Sequence, residues 1–480
     1  MNEYNTGISW SDIIVEVYLT AVFMYALFVM GSYLVLSGIS FYSSRKYIHK
    51  NQFVHYEDIL NSTLSPGLSL LAPAYNEGAT IIENIRSLLS IHYANFEVIV
   101  INDGSKDDTL QKCIDEYDMV KVNFAVDYKV ATQEVRGVYK SRNKAFEHLT
   151  VVDKANGGKA DALNCGINIS SKDYIACIDV DCVLEQDAIL KLMKPFLDRG
   201  KGEVIAVGGV IRIANSCKIV DGRLEEINVP DNMIARFQVL EYLRAFLLGR
   251  MAWSELDGLL LISGALGIFD KKLAIVAGGY NHKTVGEDME LVVRMRRYMH
   301  DHNRPYRVEF IPDPLCWTEA PESLKILSRQ RNRWTRGTIE TLLFHKKMFF
   351  NPKYGKIGMI SYPFWLFFEW LAPLLEGMGY AITITLAIAG LINWDFVGWL
   401  MLLVYSFSVL FSVLALLIEE VTYFQYKKHS SIIKLFLTGL IEPFFFHFFG
   451  VYCAIIGNRD YLQKKSSWGE MTRKGFAKKT

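Results

Sequence analysis

A chain of 480 residues is too long for one simple core and points to two or three structural units. Its 52 Lys+Arg against 51 Asp+Glu leave no global basic field, which removes compositional support for nucleic-acid binding. The apolar content of 51% is concentrated in particular segments, and the seven cysteines form no C-x-x-C pair and no ligand-spaced Cys/His set, so neither a zinc site nor a disulfide framework is expected.

Residues 17–40 carry no charge, enough to cross a bilayer, and Arg45, Lys46 and Lys50 come directly after them. With no basic n-region and no small-residue cleavage site, this reads as an uncleaved span. The positive-inside rule places its N-terminus outside and the chain beyond Ser40 in the cytosol. A polar linker, 51–67, ends in Pro66-Gly67.

From residue 68 to about 320 the character changes to that of a soluble α/β unit. Short apolar or β-branched runs at 68–72, 96–101, 121–126, 149–152 and 174–178 are separated in several places by helical patterns at 79–89, 109–117, 159–169 and 186–196. Such alternation predicts a mostly parallel sheet covered on both faces, with ligands bound beyond the carboxyl ends of the strands. Tyr75 and Glu77 come after the first run, and Asp103 after the second. The fifth run ends in Asp179-Val180-Asp181, two carboxylates at i and i+2 that can face one divalent cation holding a diphosphate, or can be a solvated turn. Gly157-Gly158-Lys159 opens a helix, which is a natural anion site as well as a plain helix start.

Further along, 234–253 alternates apolar residues with Arg236, Arg244 and Arg250, as suits either a helix on a membrane surface or one buried in the domain. Ser263-Gly264-Ala265 opens a strand-like run. Glu287-Asp288 starts a helical pattern over 289–299, where first-turn acids also complement a helix dipole. Gln330, Arg333 and Trp334 lie just before the longest apolar region, on a helix expected over 324–350. Candidate spans are expected at 357–375, 377–394, 396–418 and 435–457. Four crossings return the basic tail to the cytosol but leave Lys427 and Lys428 outside; three reverse both. Glu369, Glu376, Glu442 and His447 fall within or beside these spans, where they line a polar path or snorkel to the interface.

Taken in order, Asp103, Asp179-x-Asp181, Glu287-Asp288 and Gln330-x-x-Arg333-Trp334 resemble the membrane-integrated processive family 2 glycosyltransferases, which include cellulose, chitin, hyaluronan and poly-N-acetylglucosamine synthases. The resemblance covers about 68–344, and the segment 468–476 looks like the tail of bacterial members. It implies an α/β, GT-A-type cytosolic domain inserted between transmembrane helices. The expected units are an N-terminal span with its basic flank (1–50), the linker (51–67), the glycosyltransferase domain (68–323), an interfacial helix (324–353), C-terminal spans (354–457) and a basic cytosolic tail (458–480).

The resemblance further implies that Tyr75, Glu77 and Asp103 hold the uridine of a UDP-sugar donor, with Lys159 near the diphosphate. Asp179 and Asp181 would sit at the nucleotide and at Mg2+ or Mn2+, with Asp181 the direct ligand. Asp288, beside Glu287, would be the general base. Gln330, Arg333 and Trp334 would line the junction of diphosphate and acceptor sugar, and Ser263 and Gly264 the acceptor terminus.

The expected activity is processive, inverting transfer from UDP-N-acetylglucosamine or UDP-glucose to the growing end of a β-linked polysaccharide, exported across the inner or plasma membrane by a multi-pass protein. The alternatives are a membrane enzyme adding one sugar to a lipid or short acceptor and, from another class, a catalytically silent subunit or transporter that keeps the fold. Expected partners are the donor, the growing polysaccharide and the bilayer, with accessory export or regulatory subunits possible and no nucleic acid. The short stretch beyond Gly457 leaves no room for an appended regulatory domain.

Overall fold

A computed structural model of the chain describes residues 10–465 except 53, 55, 57–64, 180, 181, 199 and 221. Asp181, most of the linker and the segment 468–476 therefore lie outside the described residues.

The α/β unit is built on a ten-stranded sheet in the order β3-β4-β5-β2-β1-β6-β11-β8-β12-β7. Its centre is made of β1 (Leu68–Ala74), β2 (Phe96–Asn102), β5 (Leu149–Lys154) and β6 (Tyr174–Ile178), near-continuous apolar runs buried on both faces and paired in parallel. Around them lie β3 (Met119–Val122), β4 (Val135–Ser141), β7 (Val183–Leu184), β8 (Glu203–Ile213), β11 (Leu266–Asp270) and β12 (Tyr306–Thr318). A separate hairpin is formed by β9 (Lys218–Val220) and β10 (Arg223–Glu226).

The sheet is mixed rather than mostly parallel. The pairs β3-β4, β4-β5, β6-β11, β11-β8 and β12-β7 are antiparallel. The reason is visible at β11, which starts where β6 ends, Leu266 opposite Ile178, and can only run back along it. Register then fixes the site. Ala74 pairs with Asn102 and Asn102 with Asp153, so the residues after β1, β2 and β5 emerge on one rim, and Asp179 leaves the end of β6 beside them.

Helices cover both faces: α2 (Ile81–Leu89), α3 (Thr109–Glu116), α4 (Lys159–Ile169) and α5 (Ala188–Leu197). In α2, the buried Ile81, Ile85 and Leu88 recur at helical spacing and turn one stripe to the sheet.

The long helix α1 (Trp10–Asn51) extends well beyond the apolar stretch that suggested it. Its last turns reach the soluble unit through Lys46 to Glu255 at 2.6 Å and Lys50 to Asp198 at 2.8 Å. Residues 233–255 form α6 (Met233–Leu243), a π-helical stretch (Arg244–Arg250) and α7 (Met251–Glu255), all packed between the domain and the apolar helices. After α8 (Lys271–Val276), α9 (Glu287–Asp301) and α10 (Leu324–Phe344) come α11 (Ile357–Ile388), α12 (Trp394–Thr422) and α13 (His429–Leu462).

Among the described residues four helices, α1, α11, α12 and α13, are long and apolar enough to cross a membrane, one fewer than the sequence suggested. The two spans expected at 357–375 and 377–394 are one helical segment bent at Leu371, before Pro373. Its first turns bury Ile357, Tyr362 and Phe364 against protein, an apolar surface that hydropathy alone reads as facing lipid.

Candidate active site

The loops after β1 and β2 are knitted together. Asn76, at φ 56°, accepts from the Lys106 amide at 2.8 Å and donates its own amide to Ser105 Oγ at 2.9 Å. The Glu77 amide donates to Thr109 Oγ1 at 2.9 Å. This leaves the Tyr75 ring exposed on the rim, where a flat base can lie.

Asp103 is buried, and both its oxygens are taken. Oδ1 accepts from Lys154 Nζ at 2.6 Å and the Gly157 amide at 3.0 Å, and Oδ2 accepts from the Gly158 amide at 2.7 Å and Asn156 Nδ2 at 3.1 Å. The carboxylate thus sets the shape of the loop that presents Lys159. Lys154, fully buried between Asp103 and Asp161, pairs with both. Sequence reading missed it; the available signal was a lysine closing the buried run Val151-Val152-Asp153-Lys154.

Gly158, at φ 86°, caps α4 in a conformation that an L side chain rarely adopts and turns Lys159 back across the rim. Its ammonium pairs with Asp179, lies 3.9 Å from Glu287 and approaches the Gly264 carbonyl at 3.4 Å. Burial would lower the pKa of Lys159, but the Asp179 and Glu287 carboxylates outweigh it and hold the group above its ordinary value. The cation is therefore permanent at physiological pH.

Glu287 and Asp288 open α9 and differ sharply. Glu287 is buried, and desolvation raises its pKa against the pull of Lys159. Asp288 is half-buried; Oδ2 accepts from the Gly264 amide at 2.9 Å and Oδ1 from the Met289 amide at 2.8 Å. A Cβ on Gly264 would stand 3.0 Å from Lys159 Nζ and 3.3 Å from Asp288 Oδ2, so this glycine lets the cation and the carboxylate close on each other. Ser263 and Gly264 thus stand beside Asp288.

On α10, Gln330, Arg333 and Trp334 turn to the same space. Arg333 is close enough to influence both Lys159 and Glu287. The Arg331 guanidinium, ion-paired to Glu241, covers the Trp334 ring at 4.2 Å.

A cavity of about 970 Å³ joins these groups, with Lys159, Asp179, Asp288 and Trp334 at the domain end and Tyr33, Glu369, Glu376 and His447 at the end of the apolar helices. Among the described residues, three buried polar atoms on its lining have no hydrogen-bond partner: Gln330 Oε1, Arg250 Nη1 and Trp365 Nε1. The ionisable groups that the apolar helices turn to the cavity are paired: Tyr33 with Glu369 at 3.1 Å, His447 with Glu376 at 2.6 Å and Glu442 with Arg244 at 2.6 Å. Tyr75, Glu77 and Asp103 are not among the lining residues. Arg250 was read only as one of the basic residues of the 234–253 segment, and its place on the cavity wall was not expected from the sequence.

Residues 66–337 match the model of the family described as glycosyltransferase like family 2, and residues 279–471 match that of chitin synthase. The chain is 29% identical over 319 residues to a poly-beta-1,6-N-acetyl-D-glucosamine synthase of Staphylococcus aureus, covering 65% of this chain and 64% of that one. It is 30% identical over 277 residues to the synthase of the same name from Staphylococcus epidermidis, covering 58% and 56%. The chain thus spans less than two thirds of the length of these relatives. Among solved structures, a mannosyltransferase from Pyrobaculum calidifontis in complex with GDP-Man and Mn2+ aligns with TM-score 0.49 and 16% identity over 87% of this chain and 99% of that one. With more than half of its length matched by the family model, the chain belongs to the glycosyltransferase-like family 2.

Proposed function

We propose that the chain is a processive, inverting hexosyltransferase that extends a β-linked polysaccharide from a UDP-sugar, with UDP-N-acetylglucosamine the favoured donor, and passes the product into its own apolar helices. The observation that carries this reading is the cavity running from the Lys159, Asp179 and Asp288 cluster past Trp334 to the membrane helices. An enzyme adding one sugar to a small acceptor has no need of a path that continues into the apolar helices. The names of the two relatives support the choice of sugar.

The residues divide the chemistry between them. Lys159 and Arg333 offset the charge that develops on a departing diphosphate. Asp288, held by two backbone amides and open to the cavity, accepts the proton of the attacking acceptor hydroxyl. Attack from the face opposite the diphosphate inverts the anomeric centre. Trp334 offers a pyranose its uncovered face, and Gln330, Arg250 and Trp365 offer unspent hydrogen bonds to sugar hydroxyls.

Among the described residues no three His, Cys, Asp or Glu side chains converge as a protein cage for a metal. That suits Mg2+ or Mn2+, which is commonly held by one or two carboxylates together with substrate phosphates. Asp179 fits as one such oxygen donor, and Asp181, two residues on, as the second. When bound, the ion would supply further positive charge at the diphosphate.

The test is to incubate the reconstituted protein with radiolabelled UDP-N-acetylglucosamine, UDP-glucose, UDP-galactose and UDP-glucuronate and to resolve products by size. A long polymer from one donor is expected. A single-sugar adduct on lipid would replace polymerisation with single transfer, and no transfer from any donor in the presence of lipid and oligosaccharide acceptors would count against the reading.

A further inference from the structure

Helix α13 satisfies every compositional requirement for a span and packs its middle on α11 and α12, with Phe448 against Tyr380 and Phe444 against Tyr405, yet both of its ends lie against the domain. At its start, Lys428 reaches Glu226 at 2.7 Å and Asn228 at 3.1 Å on the β9-β10 hairpin side, and Lys434 reaches Asp231 at 3.4 Å. In its middle it crosses α6: Leu240 packs near Gly439, Arg244 pairs with Glu442, and the rings of Phe237 and Phe446 lie 5.2 Å apart. Its second half runs beside α10. Phe446 packs with Leu327, a Cβ on Gly457 would stand 2.8 Å from Thr335, Asn332 donates to Asp460 at 2.9 Å, and Arg336 donates to the Lys465 carbonyl.

With 34 residues α13 is about 51 Å long, far more than the roughly 30 Å of a hydrocarbon core. A helix crossing the bilayer leaves the soluble domain with one end. This one holds the domain with both.

We infer that α13 does not cross the membrane: it starts and ends on the domain side of the bilayer, its middle packed on α11 and α12, and presents its outer face to lipid. The protein-facing stripe carries Ser431, Thr438, Gly439 and Glu442, all buried, which is polar for a helix in lipid and natural for one seated on α6 and α12. The opposite stripe, Ile433, Leu437, Ile441, Phe444, Phe448 and Tyr452, is exposed and recurs at spacings of three and four residues. It continues the exposed apolar surfaces of α11 and α12, which identifies its occupant as the same bilayer.

Charge agrees. With α1, α11 and α12 as the three crossings, Arg45, Lys46 and Lys50, the loop with Lys427 and Lys428, and Lys464 and Lys465 all fall on the domain side. The connection 389–393 on the far side, Ala-Gly-Leu-Ile-Asn, has no charge. The conflict between tail and loop that four or three crossings of the C-terminal half create is gone.

Cysteines introduced one at a time test this in the full chain, with the seven native cysteines replaced by serine or alanine: Leu391→Cys, Lys427→Cys and Gln463→Cys, all at exposed positions, labelled with a membrane-impermeant maleimide in right-side-out vesicles before and after permeabilisation. Expected is labelling of Leu391→Cys in sealed vesicles, with Lys427→Cys and Gln463→Cys rising from background only after permeabilisation. The inference is overturned if Gln463→Cys labels with Leu391→Cys, or if Lys427→Cys and Leu391→Cys label together. Protease protection of a C-terminal epitope tag on the unsubstituted chain gives the same answer without any variant; digestion of the tag in sealed vesicles overturns it. Neither readout depends on activity, so the result stands apart from the choice of donor or reaction.

Discussion

Gly286 and Gly337 meet backbone to backbone: a Cβ on either would lie 2.7 Å from the other's Cα. This contact brings the start of α9, with Glu287 and Asp288, against the middle of α10, with Gln330, Arg333 and Trp334, and closes one wall of the cavity. A methyl group there has only backbone to push against, and overpacking of this kind costs about 1–3 kcal/mol. Gly337→Ala is expected to lower the melting temperature and to reduce transfer more than it reduces donor binding. Transfer and binding reduced equally would mean that the contact serves stability alone.

Asp288→Asn keeps the size of the side chain and an oxygen for the Gly264 amide while removing the proposed base. A loss of about 10²–10⁴-fold in turnover is expected, since that is what a positioned general base contributes. UDP binding, measured by calorimetry, should survive, because Asp288 is not a ligand of the nucleotide in this reading. Near-normal turnover would remove Asp288 from the role.

Much of the site was legible because its signals are local. Asp103, Lys159, Asp179 and Asp288 each stand directly after an apolar run or at a helix start, where period and punctuation are strongest. The α/β domain between apolar helices, of the GT-A type that the family implies, was readable from the same signals. Less legible were features set by partners distant in sequence. The antiparallel β4 alternates polar and apolar residues and gave no clear run, and Lys154 matters only because Asp103 and Asp161 close around it. The first turns of α11 and the whole of α13 have the hydropathy of spans, yet those turns and one stripe of α13 are buried on the protein's own helices. Hydropathy measures avoidance of water and does not distinguish lipid from protein.

Glu287 carries a pH signature. Burial and the adjacent Asp288 raise its pKa in spite of Lys159 and Arg333, so folding favours the neutral form. Such a group adds stability that is fully present below its unfolded pKa, about 4.3, and that is lost as pH rises through the raised folded value. The melting temperature should therefore carry a downward component over that window. Glu287→Gln, which cannot ionise, should flatten it, and an unchanged pH profile of melting in the variant would show that Glu287 is not the source.

Chelation should separate donor handling from the fold. Asp179 alone among the described residues of its strand end offers a carboxylate to a cation, and Lys159 already occupies part of it. Excess EDTA is expected to abolish transfer without shifting the melting temperature, with recovery on adding Mg2+ or Mn2+. Asp179→Ala should lose activity that no metal concentration restores. Full activity in chelator would refute the divalent requirement.

Trp334 is the residue on which processivity should turn. Its ring is half-exposed, with Arg331 over one face at 4.2 Å and Tyr242 at a centroid distance of 6.4 Å, so the indole is fixed in orientation before any sugar arrives. A held ring spends little entropy when a pyranose stacks on it, and stacking keeps the growing end in line between additions. Trp334→Ala should then shorten the polymer severalfold while donor affinity changes little, and Trp334→Phe, which keeps a flat face, should recover much of the length. Removal of the Arg250 side chain, whose Nη1 has no hydrogen-bond partner among the described residues, should likewise shorten products by loosening the acceptor beyond the ring. Shortening by Trp334→Ala that matches its loss of donor affinity would instead place the indole in the donor site, and unchanged product length would leave the cavity without its hold on the chain.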